Sequence, residues 1–199
     1  MAIVYPLSLP TVSGIRAIEF RAVNAVAYSA SPFTFAGQAH AYPGQMWQAD
    51  VTLAPMRARA EAEQWNAFLM SLRGQFGTFL LGDPNASTLR GTATSCAISG
   101  AVGANTVTAT VPDGQTLLAG DYIQLGTGAN ARLHKVLAPF TSTGFAADLE
   151  IWPSLRSSAS DVSAALSNCV GVFRLSSNET GWAADISNYS ITFAAREAI

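Results

Sequence analysis

The two histidines, His40 and His134, are the only side chains of this sequence whose ordinary pKa lies near neutral pH. A Ser–His–Asp triad would have to use one of them. Each histidine lies in a stretch that predicts a β-strand, and neither is near a G-x-S-x-G nucleophile elbow. We therefore assign no catalytic residue and expect no enzymatic activity.

Metal and cofactor sites are not indicated either. The sequence has no H-E-x-x-H motif, no EF-hand loop and no Cys/His set at zinc-binding spacing. The segment GTGANARL (126–133) lacks the Lys-Ser/Thr pair of a phosphate-binding loop. Asp83, Asp113 and Asp121 each adjoin glycine or proline, which turn formation explains. A carboxylate pair for glycoside hydrolysis stays open, because sequence does not give the separation between six Glu and seven Asp.

Tryptophan is the remaining residue type with a binding chemistry, through its large amphipathic ring. Trp152 precedes Pro153 close to a predicted loop, and it is the one candidate for contact with a ligand or glycan. The other three are predicted to pack in a core: Trp47, Trp65 and Trp182.

The composition excludes several classes of partner. Charged residues make up 12% of the chain, against about 25% in typical soluble domains. Low charge favours either a surface covered by neighbouring subunits or a weakly charged monomer. The net charge of −2 and the scattered arginines give no basic stripe for nucleic acid. No apolar run is long enough to span a membrane, and no signal peptide is recognisable, so we expect folding in the cytoplasm.

The elements that position these residues centre on residues 45–84. Strict alternation over 45–53 predicts a strand with one buried face. A helix is predicted over 56–73, with Pro55 at its start and Gly74 just after its end. A further strand follows at 77–81. The core-facing residues of this stretch are predicted to be Trp47, Trp65, Phe68, Leu69 and Leu72.

Upstream, two prolines predict an extended N-terminal segment over 1–13, which caps its own sheet or reaches a neighbour. A strand is predicted over 14–27, with Ile18 and Phe20 facing the core. Short strands at 33–36 and 38–42 are predicted to form a hairpin, and Pro43-Gly44 a turn.

Downstream, residues 92–170 predict many short strands separated by turns, which favours a small barrel or sandwich. Residues 157–160 predict a loop. A final hairpin is predicted from 182–186 and 189–195, with Trp182 and Phe193 reaching the first core. We expect this hairpin to rejoin the N-terminal sheet, so that 92–170 is an insertion in a domain made of 1–91 and 171–199.

That layout puts Cys96 and Cys169 near the two points where the chain enters and leaves the predicted insertion. One hypothesis is a disulfide that locks the insertion and contributes about 4 kcal/mol. The alternative is two small buried thiols, because the spacing matches no redox or zinc motif.

Four segments carry a resemblance to a known family: WQADVTLAPM (47–56), AEQWNAFLMSLRGQFGTFLLGDP (62–84), GDYIQLG (120–126) and GVFRLSSNETGWAADISNYSITFAAREA (171–198). Together they resemble distal tail proteins of long-tailed bacteriophages. The resemblance implies a mainly β fold, in which a β-sandwich ring domain carries one α-helix. It also implies a ring, usually hexameric, that joins the tail tube to the baseplate hub. The insertion would be the extra β domain, a galectin-like or OB-like barrel, although in common members that domain follows the ring domain.

The expected function is accordingly that of a structural virion protein of the tail tip, assembled in the host cytoplasm. The resemblance implies partners in the tail tube and hub, and an extra domain that is decorative or binds side fibres or host glycans. No cofactor, specific nucleic-acid binding or membrane insertion is expected. The alternatives are a carbohydrate-binding module that uses Trp152 and a cell-wall-degrading enzyme that uses His134 or a carboxylate pair.

Overall fold

The computed structural model describes residues 2–12, 14–185 and 188–199. The chain is 46% strand and 8% helical, which confirms the predicted mainly β class. The described elements are, in chain order, β1 (Ile15–Ala30), β2 (Gly37–Leu53), α1 (Arg59–Ser71), β3 (Phe79–Leu81), β4 (Ala97–Gly100), β5 (Thr106–Thr110), β6 (Thr116–Leu117), β7 (Tyr122–Leu125), a 3-10 turn (Gly128–Asn130), β8 (Arg132–Val136), β9 (Phe140–Thr141), β10 (Ala147–Trp152), β11 (Ala159–Ser163), β12 (Gly171–Leu175), β13 (Trp182–Ala184) and β14 (Tyr189–Glu197).

The first sheet has the strand order β1–β2–β14–β12–β3, and β13 pairs with β14. All these pairs are antiparallel. The C-terminal strand β14 lies between β2 and β12, two strands from distant parts of the chain. Its apolar face completes the core that β2 and β12 begin. Ile186, the predicted last residue of the strand before β14, and Ser187, in the turn predicted after it, lie outside the described residues.

The second sheet has the order β11–β4–β5–β10–β8–β7, and β6 pairs separately with β9. All of its strands fall between residues 97 and 163. Tyr122, Leu133 and Trp152 from this part nevertheless belong to the first core cluster. The domain boundaries at 91/92 and 170/171 stay a prediction. The sequence did not predict β4 or β11, and β11 begins inside the loop expected at 157–160.

The helix is shorter than the sequence predicted. It spans Arg59–Ser71, whereas the pattern predicted 56–73. Its start is delayed because Met56 pairs with Tyr189 of β14 through two backbone hydrogen bonds, of 3.0 and 2.8 Å. At the other end the C-cap is Leu72, and the left-handed conformation expected after a helix begins at Arg73, with a φ of +52°, one residue before the predicted Gly74, which has a φ of +67°.

The N-terminal segment covers the edge of its own sheet. The Leu7 amide donates to Thr78 O, and the Leu80 amide donates to Leu7 O, both at 2.9 Å. The Tyr5 hydroxyl donates to Ser71 O at 2.6 Å, next to the end of α1. Of the two roles predicted for this segment, the described residues therefore show the capping of β3.

The β1–β2 hairpin differs most from the prediction. Residues 33–36 form the turn of one long hairpin, and β2 continues through Pro43-Gly44 without a turn. The strand register shifts between Asn24 and Val26, where β2 carries extra residues opposite β1. A bulge of this kind tolerates proline, because no ladder hydrogen bond needs its missing N–H.

The first core holds most of the predicted residues. Trp47, Trp65, Phe68, Leu69 and Leu72 are all buried. Phe193 is partly buried and packs against them. Trp182 is 46% exposed, which corrects its predicted core position. The physical reason is that β13 pairs only with β14 at the sheet margin, where all three of its residues are exposed.

Candidate interaction surface

The two histidines lie in different environments, one buried in the second sheet and one exposed on β2. His134 is 1% exposed, and its Nδ1 lies 2.7 Å from the Pro153 carbonyl oxygen. His40 is exposed, and its ring stacks edge-on to Tyr42 at 4.8 Å. In the part of the chain that the structure describes, no group of three or more His, Cys, Asp or Glu side chains is placed to hold a metal ion. No helix among the same residues is both long and apolar enough to cross a bilayer.

His134 predicts a pH dependence of stability. Burial lowers the pKa of His134 below 6.5, against the opposing effects of the Pro153 hydrogen bond and of Glu197. Below pH 6.5 the unfolded chain therefore binds more protons at this residue than the folded chain does. The free energy of unfolding should fall as the pH drops through this window, by up to about 1.4 kcal/mol per pH unit.

Urea denaturation between pH 7.5 and 5.5 checks this prediction. His134→Gln should flatten the pH dependence, whatever its effect on stability at pH 7.5. His40→Gln is the matched control, since this exposed histidine is not packed in the core, and it should keep the wild-type slope. Equal slopes for wild type and His134→Gln would contradict the prediction.

The cysteines correct the disulfide hypothesis. Cys96 and Cys169 are both free and buried. Cys96 packs in the core of the second sheet, whereas Cys169 packs in the first core and its Sγ donates to Ala165 O at 3.3 Å. The two thiols thus point into different hydrophobic cores, although both cysteines lie close to where the chain passes from one sheet to the other.

Thiol reactivity should reflect this burial. Burial raises the pKa of each thiol to about 11. The thiolate is the reactive form, so alkylation of the native protein at pH 8 should be slow. In denaturant without reductant, two thiols per chain should titrate with a colorimetric disulfide reagent. A count of zero would restore the disulfide, and fast labelling of native protein would contradict the burial of the thiols.

Trp152 serves the junction between the two sheets. It is 8% exposed, and its ring stacks edge-on to Trp47 at a centroid distance of 4.4 Å. Its Nε1 donates to the Asn24 Oδ1 atom at 2.8 Å. The ring therefore lacks the free face that a glycan contact needs, which corrects the role predicted for it.

A polar network completes this junction around Gln45. The Gln45 side-chain oxygen accepts from the Ser154 amide at 2.7 Å and from the Asn105 side chain at 3.2 Å. The Arg156 guanidinium donates to Gln45 O and to Glu197 Oε2, the latter at 2.8 Å. Asn24 and Gln45 are paired residues of β1 and β2. The part of the chain that carries the second sheet thus holds the β1–β2 hairpin at Asn24 and Gln45.

Beyond that point the hairpin projects as an exposed arm, residues 25–44, which we call the hairpin arm. The cross-strand pairs Val26–Ala41, Tyr28–Ala39 and Ala30–Gly37 give it one entirely apolar face. The Tyr28 ring lies across Gly37, where any side chain would collide with it. The exposed large apolar residues of the hairpin arm are Val26, Tyr28, Phe33, Phe35 and Tyr42.

The tip of the arm is held in shape by hydrogen bonds. The Ser31 amide donates to Ala36 O, and the Phe35 amide donates to Ser31 O, both at 2.9 Å. Phe33 and Phe35 are nevertheless 91% and 84% exposed. Phe35 also has a φ of +55°, a left-handed conformation that is costly for a residue with a side chain. The tip therefore presents two aromatic rings to solvent at an energetic cost.

The arm is also free of charge. From Asn24 to Gln45 the sequence contains no Asp, Glu, Lys or Arg. An exposed edge strand in a monomer is normally protected by charges or by a short length. A contiguous apolar surface without these protections marks an interaction site. The arm is therefore the candidate functional surface of this protein.

A groove near the other end of β1 has a matching character. Its walls are mainly apolar, with Ser8, Asp83, Ser87 and Asn168 as the polar part of the lining. Its volume is about 370 Å³, within the range of pockets that receive small organic groups. Apolar lining residues are Leu9, Ile15, Leu80, Pro84 and Val170. We call this cavity the apolar groove.

Comparison with known proteins adds no family to this description. The chain matches no protein-family model, and a search of curated proteins finds no significant match.

The hairpin arm is the feature that sequence reasoning missed. The prediction divided residues 25–44 at Gly37 and Pro43-Gly44, and it treated each short strand separately. One signal was present, namely a run of 22 residues without a charged side chain but with four aromatic ones, from Asn24 to Gln45. Such a run predicts an exposed interface only once the long hairpin is known to leave the core.

Proposed function

We propose that this protein is a structural, non-enzymatic component of a bacteriophage tail tip, which assembles as a ring, expected to be hexameric, between the tail tube and the baseplate hub. The observation that carries the proposal is the hairpin arm, a long and charge-free surface with aromatic side chains. Hydrogen bonds from Trp152, Ser154 and Arg156 at its base hold it outside the core. A surface of this kind needs a protein partner to cover it.

Other features support a scaffold role. His134, the buried histidine, has one ring nitrogen at a backbone carbonyl and lies in a strand of the second sheet. The carbohydrate-binding alternative loses its candidate residue, because Trp152 is used inside the junction. The proposal also takes residues 92–170 as an inserted domain, which braces the base of the hairpin arm and is available for contact with fibres or the host surface.

Electron microscopy and light scattering of the purified protein test this proposal. Closed rings, and co-sedimentation with purified tail tubes or hub protein, are the expected results. A strictly monomeric protein at the highest soluble concentration, without binding to tube or hub proteins, would contradict it.

A further inference from the structure

We propose that the hairpin arm of one copy docks in the apolar groove of the next copy, with Phe33 and Phe35 as the anchoring residues. This inference rests on the proposed ring and names the contact that closes it. The occupant of the groove is thus a second copy of this chain.

The first argument is that the tip cannot reach the groove of its own chain. Ile15 at the start of β1 lines the groove, and Ala30 at the end of β1 lies beside the tip. Fifteen residue steps in an extended strand cover about 50 Å. The ladder to β2 runs over this whole length, with two irregularities, and keeps the hairpin extended. A contact between tip and groove therefore has to join two molecules.

The second argument is the match in size and chemistry. The exposed fractions of Tyr28, Phe33, Phe35 and Tyr42 range from 54% to 91%. At about 150–250 Å² per aromatic side chain, they offer on the order of 600 Å² for burial. A stable interface buries about 800 Å² on each partner. The hairpin arm thus supplies most of one side of such an interface. Its uncharged tip suits the apolar part of the groove, formed by Leu9, Ile15, Leu80, Pro84 and Val170, and brings no like charge to Asp83 on the same lining.

The third argument is symmetry. The tip and the groove are different surfaces, so their contact is heterologous and runs head to tail. Repetition of such a contact gives a closed ring or an open filament, depending on the rotation between neighbours. One surface used for both sides would instead stop at a dimer.

The fourth argument is the conformation of Phe35. Phe35 is one of four described residues other than glycine with a left-handed φ, beside Arg73, Asp161 and Asn168, and it is the one that carries an exposed aromatic ring. Strained residues of this kind cluster at functional sites. Glycine would relieve the strain at this position and remove the ring. Phe35→Gly should therefore preserve the fold while it weakens self-association, which a purely structural role for Phe35 does not predict.

The test compares three variants by analytical ultracentrifugation. The tip variant is Phe33→Ser/Phe35→Gly, and the groove variant is Pro84→Glu at an exposed position of the lining. Phe145→Ser is the control, because Phe145 is 77% exposed on the other part of the chain. Loss of two aromatic anchors should weaken association by about 100-fold or more. The control should assemble like the wild type, and all variants should keep the wild-type melting temperature to within a few degrees.

Mixing the tip and groove variants gives the decisive result. Each variant alone should be monomeric. Their mixture should form one-to-one dimers and stop there, because one intact tip meets one intact groove and no further contact is possible. A tip variant that assembles like the wild type would overturn the inference and leave the ring proposal standing. A groove variant that assembles like the wild type would place the tip elsewhere and overturn it too. A wild-type chain that stays monomeric would contradict the ring as well.

Discussion

Replacement of Glu197 by glutamine is expected to lower the free energy of unfolding by about 3 kcal/mol. Glu197 lies at the end of β14, and 2% of its side chain is exposed. It accepts from the Arg156 guanidinium at 2.8 Å and from the Trp47 amide at 3.1 Å. The variant keeps the shape and a hydrogen-bond acceptor but leaves the Arg156 charge without its partner.

The size of this effect follows from desolvation. An unpaired charge inside a protein costs about 3–5 kcal/mol, because neither water nor a counter-charge compensates it. The Arg156 side chain is 13% exposed, so the lower end of that range applies. Urea denaturation at pH 7.5 measures the change. Arg156→Met combined with Glu197→Gln should cost less than the sum of the two single changes, since the double variant no longer buries a lone charge.

An exposed ion pair of the same chain supplies the matched control. Arg59 and Glu63 pair on α1 at 3.3 Å, with side-chain exposures of 80% and 53%. Water screens such a pair, so Glu63→Gln should change stability by less than about 0.5 kcal/mol. Equal effects of Glu63→Gln and Glu197→Gln would mean that the junction is solvated and does not hold the two parts of the chain together.

Replacement of Trp65 by alanine is expected to destabilise the protein by about 3–5 kcal/mol. Trp65 is 1% exposed and stacks edge-on to Phe68 at 5.7 Å. Its ring also lies 6.3 Å from that of Phe193, on the opposing sheet. Its Nε1 donates to Val12 O at 2.8 Å, which ties the N-terminal segment to the helix. Alanine would leave a cavity in the first core and remove the hydrogen-bond donor of the Val12 carbonyl, which lies at the partly buried margin of that core.

Trp182→Ala is the internal control for this measurement. Trp182 is 46% exposed on β13, so its truncation should change stability by less than about 0.5 kcal/mol. Both variants are compared with the wild type by thermal and urea denaturation. A large effect at Trp182 or a near-neutral effect at Trp65 would contradict the observed placement of the core.

The local sequence pattern was sufficient to predict which face of β2 and of α1 is buried. The alternation from Trp47 to Leu53 predicted a buried face, and the structure buries Trp47, Ala49, Val51 and Leu53. The period of the helix placed Trp65, Phe68 and Leu69 on the buried side in the same way. In both cases the amphipathic period is a property of consecutive residues, which the sequence contains in full.

Local pattern failed where a distant strand decides the conformation. Pro43-Gly44 has the composition of a turn, but pairing with β1 on both sides of it keeps β2 extended through a bulge. Met56 was expected in the helix, but its backbone bonds to Tyr189, more than 130 residues away. Such long-range pairings compete with local propensity, and their outcome depends on which surfaces meet.

The sequence by itself determined that the chain is mainly β, that one amphipathic helix follows an alternating strand, and that residues 25–44 carry no charge. Only the tertiary structure decided that those uncharged residues stand outside the core as a hairpin arm, and that Trp152 and Arg156 hold its base. The physical reason is that charge and periodicity belong to the chain, whereas exposure depends on what the rest of the fold leaves uncovered.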